Sequence, residues 1–251
     1  MKFVKSFLLY SLFTITSTGF LYAQTSDKIT AGISNSRLER YENFLKSQVD
    51  QGQIPGAVSL VMRNGEVVFE AALGYSSIAD KRPMEVDDIF FIQSMTKPII
   101  SVAFMMLYEE GHFLLTDPVS KYLPAFKEIS VIKDVNDGMH GETEAVTEEI
   151  TIAHLLTHTA GLAHGIGSSQ LAKDIGEQQY MQTYSDIQSR VNNLLSMPLM
   201  GQPGKQWYYS AAPDVLSVLI AQFSGMSTND FLMERIFKPL KMDDTNPPFF
   251  F

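Results

Sequence analysis

Ser94 and Lys97 stand three residues apart in the stretch Phe91-Ile92-Gln93-Ser94-Met95-Thr96-Lys97-Pro98. On a helix, positions i and i+3 share a face, with Cβ atoms about 5–6 Å apart. A lysine stem at that spacing brings its amine to the serine hydroxyl. A serine hydroxyl is a weak nucleophile until a base takes its proton, and a lysine serves as that base where burial lowers its pKa. Phe90, Phe91, Ile92, Ile99 and Ile100 flank the pair and predict an apolar pocket around it. Pro98 is tolerated only in a first helical turn. That puts Ser94 at a helix start, where the positive end of the helix dipole favours a developing oxyanion. The same residues also fit a plain helix start in which Ser94 caps the helix and Lys97 is solvated. A second Ser-x-x-Lys, Ser130 to Lys133, lies in a polar segment with no apolar helix after it.

Other chemistries fit less well. His154 and His158 are spaced i, i+4, but the residue after His154 is Leu155, where metalloprotease chemistry uses a glutamate. These histidines, with nearby His164, are expected to bridge backbone groups rather than hold a metal, and no cofactor is expected. Gly165-Ile166-Gly167-Ser168-Ser169 does not make a G-x-S-x-G elbow. The sequence has no cysteine, which excludes thiol catalysis and Cys-ligated zinc. Its formal net charge of -9, with no basic stripe, argues against nucleic-acid binding.

The elements that must position the pair follow from pattern. Hydrophobic residues make up 45% and charged residues 19%, as suits a packed core. Residues 1–23 begin with Lys2 and Lys5, continue as an apolar run and end in Leu21-Tyr22-Ala23. They read as a secretory signal cleaved after Ala23, implying export to the periplasm or the exterior with no membrane span after cleavage; the other reading is an uncleaved membrane anchor, which the polar Ser11, Thr14, Thr16, Ser17 and Thr18 within the run suit less well. Leu38, Tyr41, Phe44, Leu45 and Val49 predict an amphipathic helix over 33–52. Asn64-Gly65 between two β-rich runs predicts a hairpin with strands near 56–63 and 66–73. The run from Ile99 to Gly111 is apolar almost all round and predicts a deeply buried helix capped by Gly111. Residues 127–150 are acidic and read as an exposed excursion. Further helices are expected from Thr151 to Gly161, over 213–225 and over 228–237.

Five segments in order, "SMTKP", "LYEEGHFLLTDPVSKYLPAF", "ITIAHLLTHTAGL", "PGKQWYYSAAPDVLSVLI" and "FLMERIFKPLKMDDT", together resemble the serine β-lactamase-like family. That family includes class C β-lactamases, D-alanyl-D-alanine carboxypeptidases (penicillin-binding proteins) and related esterases; the esterase-type branch is the nearest in look. The resemblance implies an α+β, β-lactamase/transpeptidase-like fold, with an antiparallel sheet, flanking helices and an all-helical region. It implies one hydrolase domain over 24–251. Within it, 24–93 is the helix-and-hairpin part, 94–225 the mainly helical part and 226–251 the start of a return to the sheet. It implies that Ser94 is acylated by a small-molecule ester, amide or β-lactam, that Lys97 helps deprotonate it, and that a tyrosine of a Tyr-x-Asn motif shares the proton traffic. Tyr209-Ser210-Ala211 matches that motif with alanine in place of asparagine, which favours esters over β-lactams. Tyr208 is the alternative to Tyr209. The family's third motif, Lys-Thr-Gly or a variant on a later strand, is not found in the sequence. A C-terminally truncated member is therefore expected, with an incomplete sheet. The corresponding alternative function is an inactive fragment or a non-enzymatic binding protein on the same fold.

Overall fold

The computed structural model describes residues 29–245. The expected signal over 1–23 and the terminal Phe249-Phe250-Phe251 lie outside the described residues. The chain divides into two compact units, with the boundary between Ile89 and Phe90.

The first unit opens with two short paired strands, β1 (Ile29–Thr30) and β2 (Ile33–Ser34). Helix α1 (Asn35–Asp50) follows, its start fixed by the Ser34 hydroxyl, which accepts the Arg37 N–H. Strands β3 (Gly56–Arg63) and β4 (Glu66–Ser77) form the expected hairpin, and β5 (Arg82–Pro83) pairs antiparallel on the far side of β4. Asn64 and Gly65, at φ 53° and 79°, adopt the left-handed pair that a tight hairpin turn demands. Strand β4 runs four residues past the expected end because its last turn of chain finds β5 to pair with. Tyr41 of α1 lies edge-on to Phe69 of β4 at 5.6 Å and hydrogen-bonds Ser59 of β3 at 3.0 Å. These contacts seat the helix on the sheet. Met62 and Val67 face each other across the hairpin and are more than half exposed, at 55% and 53%.

The second unit carries the hydrophobic core, which runs from Ile100 to Phe237. A 3₁₀ turn (Gln93–Met95) leads into α2 (Thr96–Glu109), with Pro98 in the first turn. Gly111, at φ 81°, closes the helix as expected. Burial of α2 is one-sided, however: Ile100, Ala103, Phe104 and Leu107 are buried, while Val102 is 56% exposed. The buried face packs on α6 (Ala212–Ser224), which is buried along most of its length and ends at the left-handed Gly225. Phe104, Phe113 and Phe223 stack at 4.3 and 5.5 Å to close the far end of this pair.

The acidic excursion is tied down more firmly than its composition suggested. Strands β6 (Ser130–Ile132) and β7 (Thr143–Ala145) pair antiparallel, and Val131 and Ile132 are buried. Leu199 bridges to β6 from outside through two backbone hydrogen bonds of 2.8 and 3.0 Å. Helix α3 (Ile152–Leu156) starts at the expected cap, Thr151, but stops well before Gly161. The cause is His158, whose left-handed φ of 57° takes the chain out of the helix. Two helices that the sequence pattern had not singled out, α4 (Gln170–Tyr180) and α5 (Ile187–Leu195), are capped by Ser169 and Asp186. The last helix, α7 (Thr228–Leu232), continues into a π-helical turn (Met233–Phe237).

Helix α4 is pressed against the chain that follows α3. A Cβ on Gly176 would fall 2.6 Å from the Gly165 carbonyl oxygen, a backbone atom with little room to yield. Gly176→Ala should therefore cost ~1–3 kcal/mol of stability. Urea unfolding read by the single tryptophan, Trp207, checks this; an unchanged midpoint would show that α4 is not so tightly seated.

Candidate active site

The site is built on three pieces of the second unit. The first is the 3₁₀ turn and opening turn of α2, which carry Ser94 and Lys97. Gln93, just before the serine, sits at φ 50°, a left-handed conformation that costs a side-chain-bearing residue about 1–2 kcal/mol. The second is the loop after α3, from His158 to Gly165. The third is the segment Trp207–Ala211 that leads into α6. Loop and segment are laced together by backbone hydrogen bonds: Tyr208 N–H to the His158 carbonyl at 2.9 Å, and Ala211 N–H to the Ala163 carbonyl at 3.2 Å.

Side chains complete the lacing. The Ser210 N–H donates to His158 Nδ1 at 3.2 Å, and the Ser210 hydroxyl lies 2.8 Å from the same nitrogen. Nδ1 is therefore an acceptor, and the neutral ring carries its proton on Nε2. The Ser210 oxygen also accepts the Ala212 N–H at 3.3 Å, tying the loop to the first residue of α6.

Lys97 occupies the centre. Its amine donates to the Ser94 hydroxyl at 3.3 Å, lies 3.3 Å from His164 Nε2, and stands 4.7 Å over the centroid of the Tyr209 ring. His164 stacks on Tyr209, with centroids 5.0 Å apart and planes 20° apart. Its ring also hydrogen-bonds the Tyr180 hydroxyl at the end of α4. Behind this, the Arg190 guanidinium of α5 lies 5.8 Å over the Tyr180 ring. Arg190 donates to the Gln179 carbonyl at 2.8 Å and to the buried Asp214 carboxylate at 2.9 Å.

Proximity shifts several of these groups. Burial pushes the Tyr209 phenol up, but hydrogen bonds with Ser94 and Lys97 and the Lys97 charge outweigh it and bring it below its usual 10.0. Burial, then the Lys97 charge, lowers His158. The same two causes, in the same order, take His164 down to about 4. Both imidazoles are thus neutral near pH 7. Burial raises the Asp214 carboxyl, and Arg190 only partly offsets that.

Ser94, Lys97 and Tyr209 come together, while Tyr208 turns away to Gln206, hydrogen-bonding it at 2.6 Å. The expected apolar pocket takes a different form: Phe90 and Phe91 are exposed, at 50% and 75%, and aromatic rings from the loop and the pre-α6 segment stand beside Lys97 instead. Ser94 itself is exposed. Ser130 and Lys133 lie in and just beyond strand β6, where positions three apart point to opposite faces; Lys133 pairs with Glu142. Of the histidines, His154 does bridge backbone, accepting the Thr151 N–H in the α3 cap. His158 does as well, accepting the Ser210 N–H, and with His164 it also lines the site. His158 and His164 stand six apart in the "HTAGLAHG" stretch, a spacing that matches no helical face or metal pattern and so gives no sequence sign of a shared site.

The Beta-lactamase family model matches residues 41–246. Esterase EstB of Burkholderia gladioli is 33% identical over 209 residues, or 82% of this chain and 50% of EstB. Penicillin-binding protein 4* of Bacillus subtilis is 26% identical over 216 residues, or 85% of this chain and 42% of that protein. Among solved structures, EstCE1, described as a hydrolase with promiscuous acyltransferase activity, superposes with a TM-score of 0.71 at 28% identity. That match covers 82% of this chain and 52% of EstCE1. The chain spans about half the length of the curated relatives it matches.

The Arg190–Asp214 pair yields a pH-dependent prediction. Arg190→Leu strands a buried carboxylate and should cost ~3–5 kcal/mol at neutral pH. Because burial raises the Asp214 carboxyl above its usual 3.8, the unfolded chain ionises first as pH rises, so the penalty grows with pH and acid relieves it. Urea unfolding at pH 5 and pH 7.5 should show the larger deficit at pH 7.5; an equal deficit would contradict the buried charge.

Proposed function

The chain belongs to the Beta-lactamase family, and from that premise we propose that it is an exported serine hydrolase cleaving ester or amide bonds through an acyl-enzyme on Ser94. One observation carries the reading: a lysine amine 3.3 Å from a serine hydroxyl, with a tyrosine ring 4.7 Å beneath that amine. A nucleophile, a proton acceptor and a cation that steadies the acceptor are thereby within reach of one another.

In the proposed reaction the Ser94 oxygen bonds to the substrate carbonyl carbon while its proton passes to the Tyr209–Lys97 pair. The lowered phenol supports Tyr209 as the immediate acceptor, its phenolate held under the Lys97 charge. The Ser94 N–H, at the 3₁₀ turn that feeds α2, serves as one oxyanion donor. The carbonyl–oxygen bond of the ester then breaks, the alcohol leaves with the proton from Tyr209, and the acyl group stays on Ser94. Water adds to the acyl carbon, gives its proton by the same route, and the acid is released with Ser94 restored.

Esters are favoured over β-lactams. At position 211 the buried alanine offers only a methyl, and its N–H is engaged by Ala163. EstB, an esterase by name, points the same way. A small molecule is the expected partner; among the described residues no helix is long and apolar enough to cross a membrane. The alternative reading is a binding protein on the same fold.

Hydrolysis of a short-chain p-nitrophenyl ester beside a chromogenic cephalosporin tests this. The ester should turn over faster. Ser94→Ala should abolish turnover, and Lys97→Met or Tyr209→Phe should lower kcat roughly 100- to 10,000-fold. Wild-type rates in Ser94→Ala would refute the serine, and no turnover in wild type would favour the binding protein. Export rests on residues 1–23: protein recovered from the periplasm or medium should begin at Gln24, and a product retaining Met1 in the cytosol would contradict it.

A further inference from the structure

We propose that His164, clamped by Tyr180, is a positioning residue that holds the Lys97 amine between Ser94 and the Tyr209 ring. This rests on the reading of Ser94 as nucleophile and Lys97 as its proton partner, and extends it to a residue outside the Ser–Lys–Tyr set.

The geometry around the amine leads there. An ammonium has three N–H donors and no acceptor. Ser94 Oγ and His164 Nε2 take two directions, each at 3.3 Å, and the Tyr209 face takes a third at 4.7 Å. Among the described residues no carboxylate lies within ion-pair distance of Lys97. A lysine stem is flexible and without a fixed partner would sample many rotamers. His164 is a hydrogen-bonding partner of this amine that has support of its own.

That support is a closed circuit. The His164 ring is stacked on Tyr209 and hydrogen-bonded to Tyr180. Tyr180 ends α4, which is seated by the Gly165–Gly176 backbone approach beside His164 itself. Arg190 of α5 covers the Tyr180 ring and is anchored by Asp214 in the first turn of α6. Helix α6 in turn begins just after Tyr209. Each ring is thus held by contacts other than those it makes with Lys97.

The charge state suits the role. The groups facing His164 are Lys97 from α2, Tyr180 from α4, Arg190 from α5, Tyr209 from the pre-α6 segment, and His158 from its own loop. Asp214, which could add a negative charge, is engaged by Arg190. Burial, then the nearby cations, keep the ring uncharged down to about pH 4; Nε2 accepts from the ammonium, and the Tyr180 oxygen, within reach of both ring nitrogens, takes the Nδ1–H. A ring that charged near neutrality would instead repel the amine it holds.

The test has two arms. Ring-nitrogen NMR of the ¹⁵N-histidine protein should show His164 neutral at pH 7 with Nε2 unprotonated, and titrating at about 4. Lys97→Met should move that titration upward. In ester hydrolysis, His164→Phe keeps a ring on Tyr209 but loses the acceptor. Its kcat should fall on the order of 10- to 100-fold with KM nearly unchanged, and His164→Gln, which still accepts, should recover part of the loss. A ring titrating in the usual imidazole range whether or not Lys97 is present would overturn the proposal. So would wild-type kcat in His164→Phe. Failure of the underlying reading shows separately, as turnover that survives Ser94→Ala or is absent altogether; the spectra then decide on His164 alone.

Discussion

One amine organises this site. Lys97 can act on Ser94 only if it stays within hydrogen-bond reach, and nothing in a lysine's own stem ensures that. The i, i+3 spacing brings it close, but the spacing alone also fits a solvated side chain. What separates the two outcomes is the wall of rings on the other side. His164 and Tyr209 stack into a platform that gives the amine one acceptor and one aromatic face, and leaves Ser94 as its remaining partner.

The platform is held by parts of the chain that are distant in sequence. Backbone hydrogen bonds lace the His158–Ala163 loop to the Tyr208–Ala211 segment, so Tyr209 has little freedom of its own. His158 accepts a left-handed φ of 57° to make that lacing, ending α3 early. The Arg190–Asp214 pair then ties α5 to α6 behind the rings. A buried pair of this kind is weak evidence of net stability but costly to break. Here it stands where a shift of α4 or α5 would reach the amine through Tyr180.

The parts of the site that sequence made legible are the local ones. Ser94 and Lys97 are three residues apart, and Pro98 marks the helix start beside them; no distant contact is needed to see either. Tyr209 needed the resemblance, because a tyrosine between Trp207 and Ser210 carries no local sign of its partner. His164 and Tyr180 left no signal, since the His164–Lys97 contact spans 67 positions and neither residue belongs to a short pattern. The hairpin at Asn64-Gly65 and the caps at Thr151 and Gly111 were equally local and equally clear. The end of α3, the anchoring of β6 by Leu199 and the one-sided burial of α2 were not, because each depends on what packs against the segment.

Peptide mapping after reaction with a fluorophosphonate tests the central claim most directly, since it asks which hydroxyl in the molecule is made nucleophilic. The adduct should lie on Ser94, should not form on Ser130, and should be lost when Lys97 is replaced by methionine. An adduct on another serine, or one on Ser94 that forms equally well without the Lys97 amine, would contradict the account.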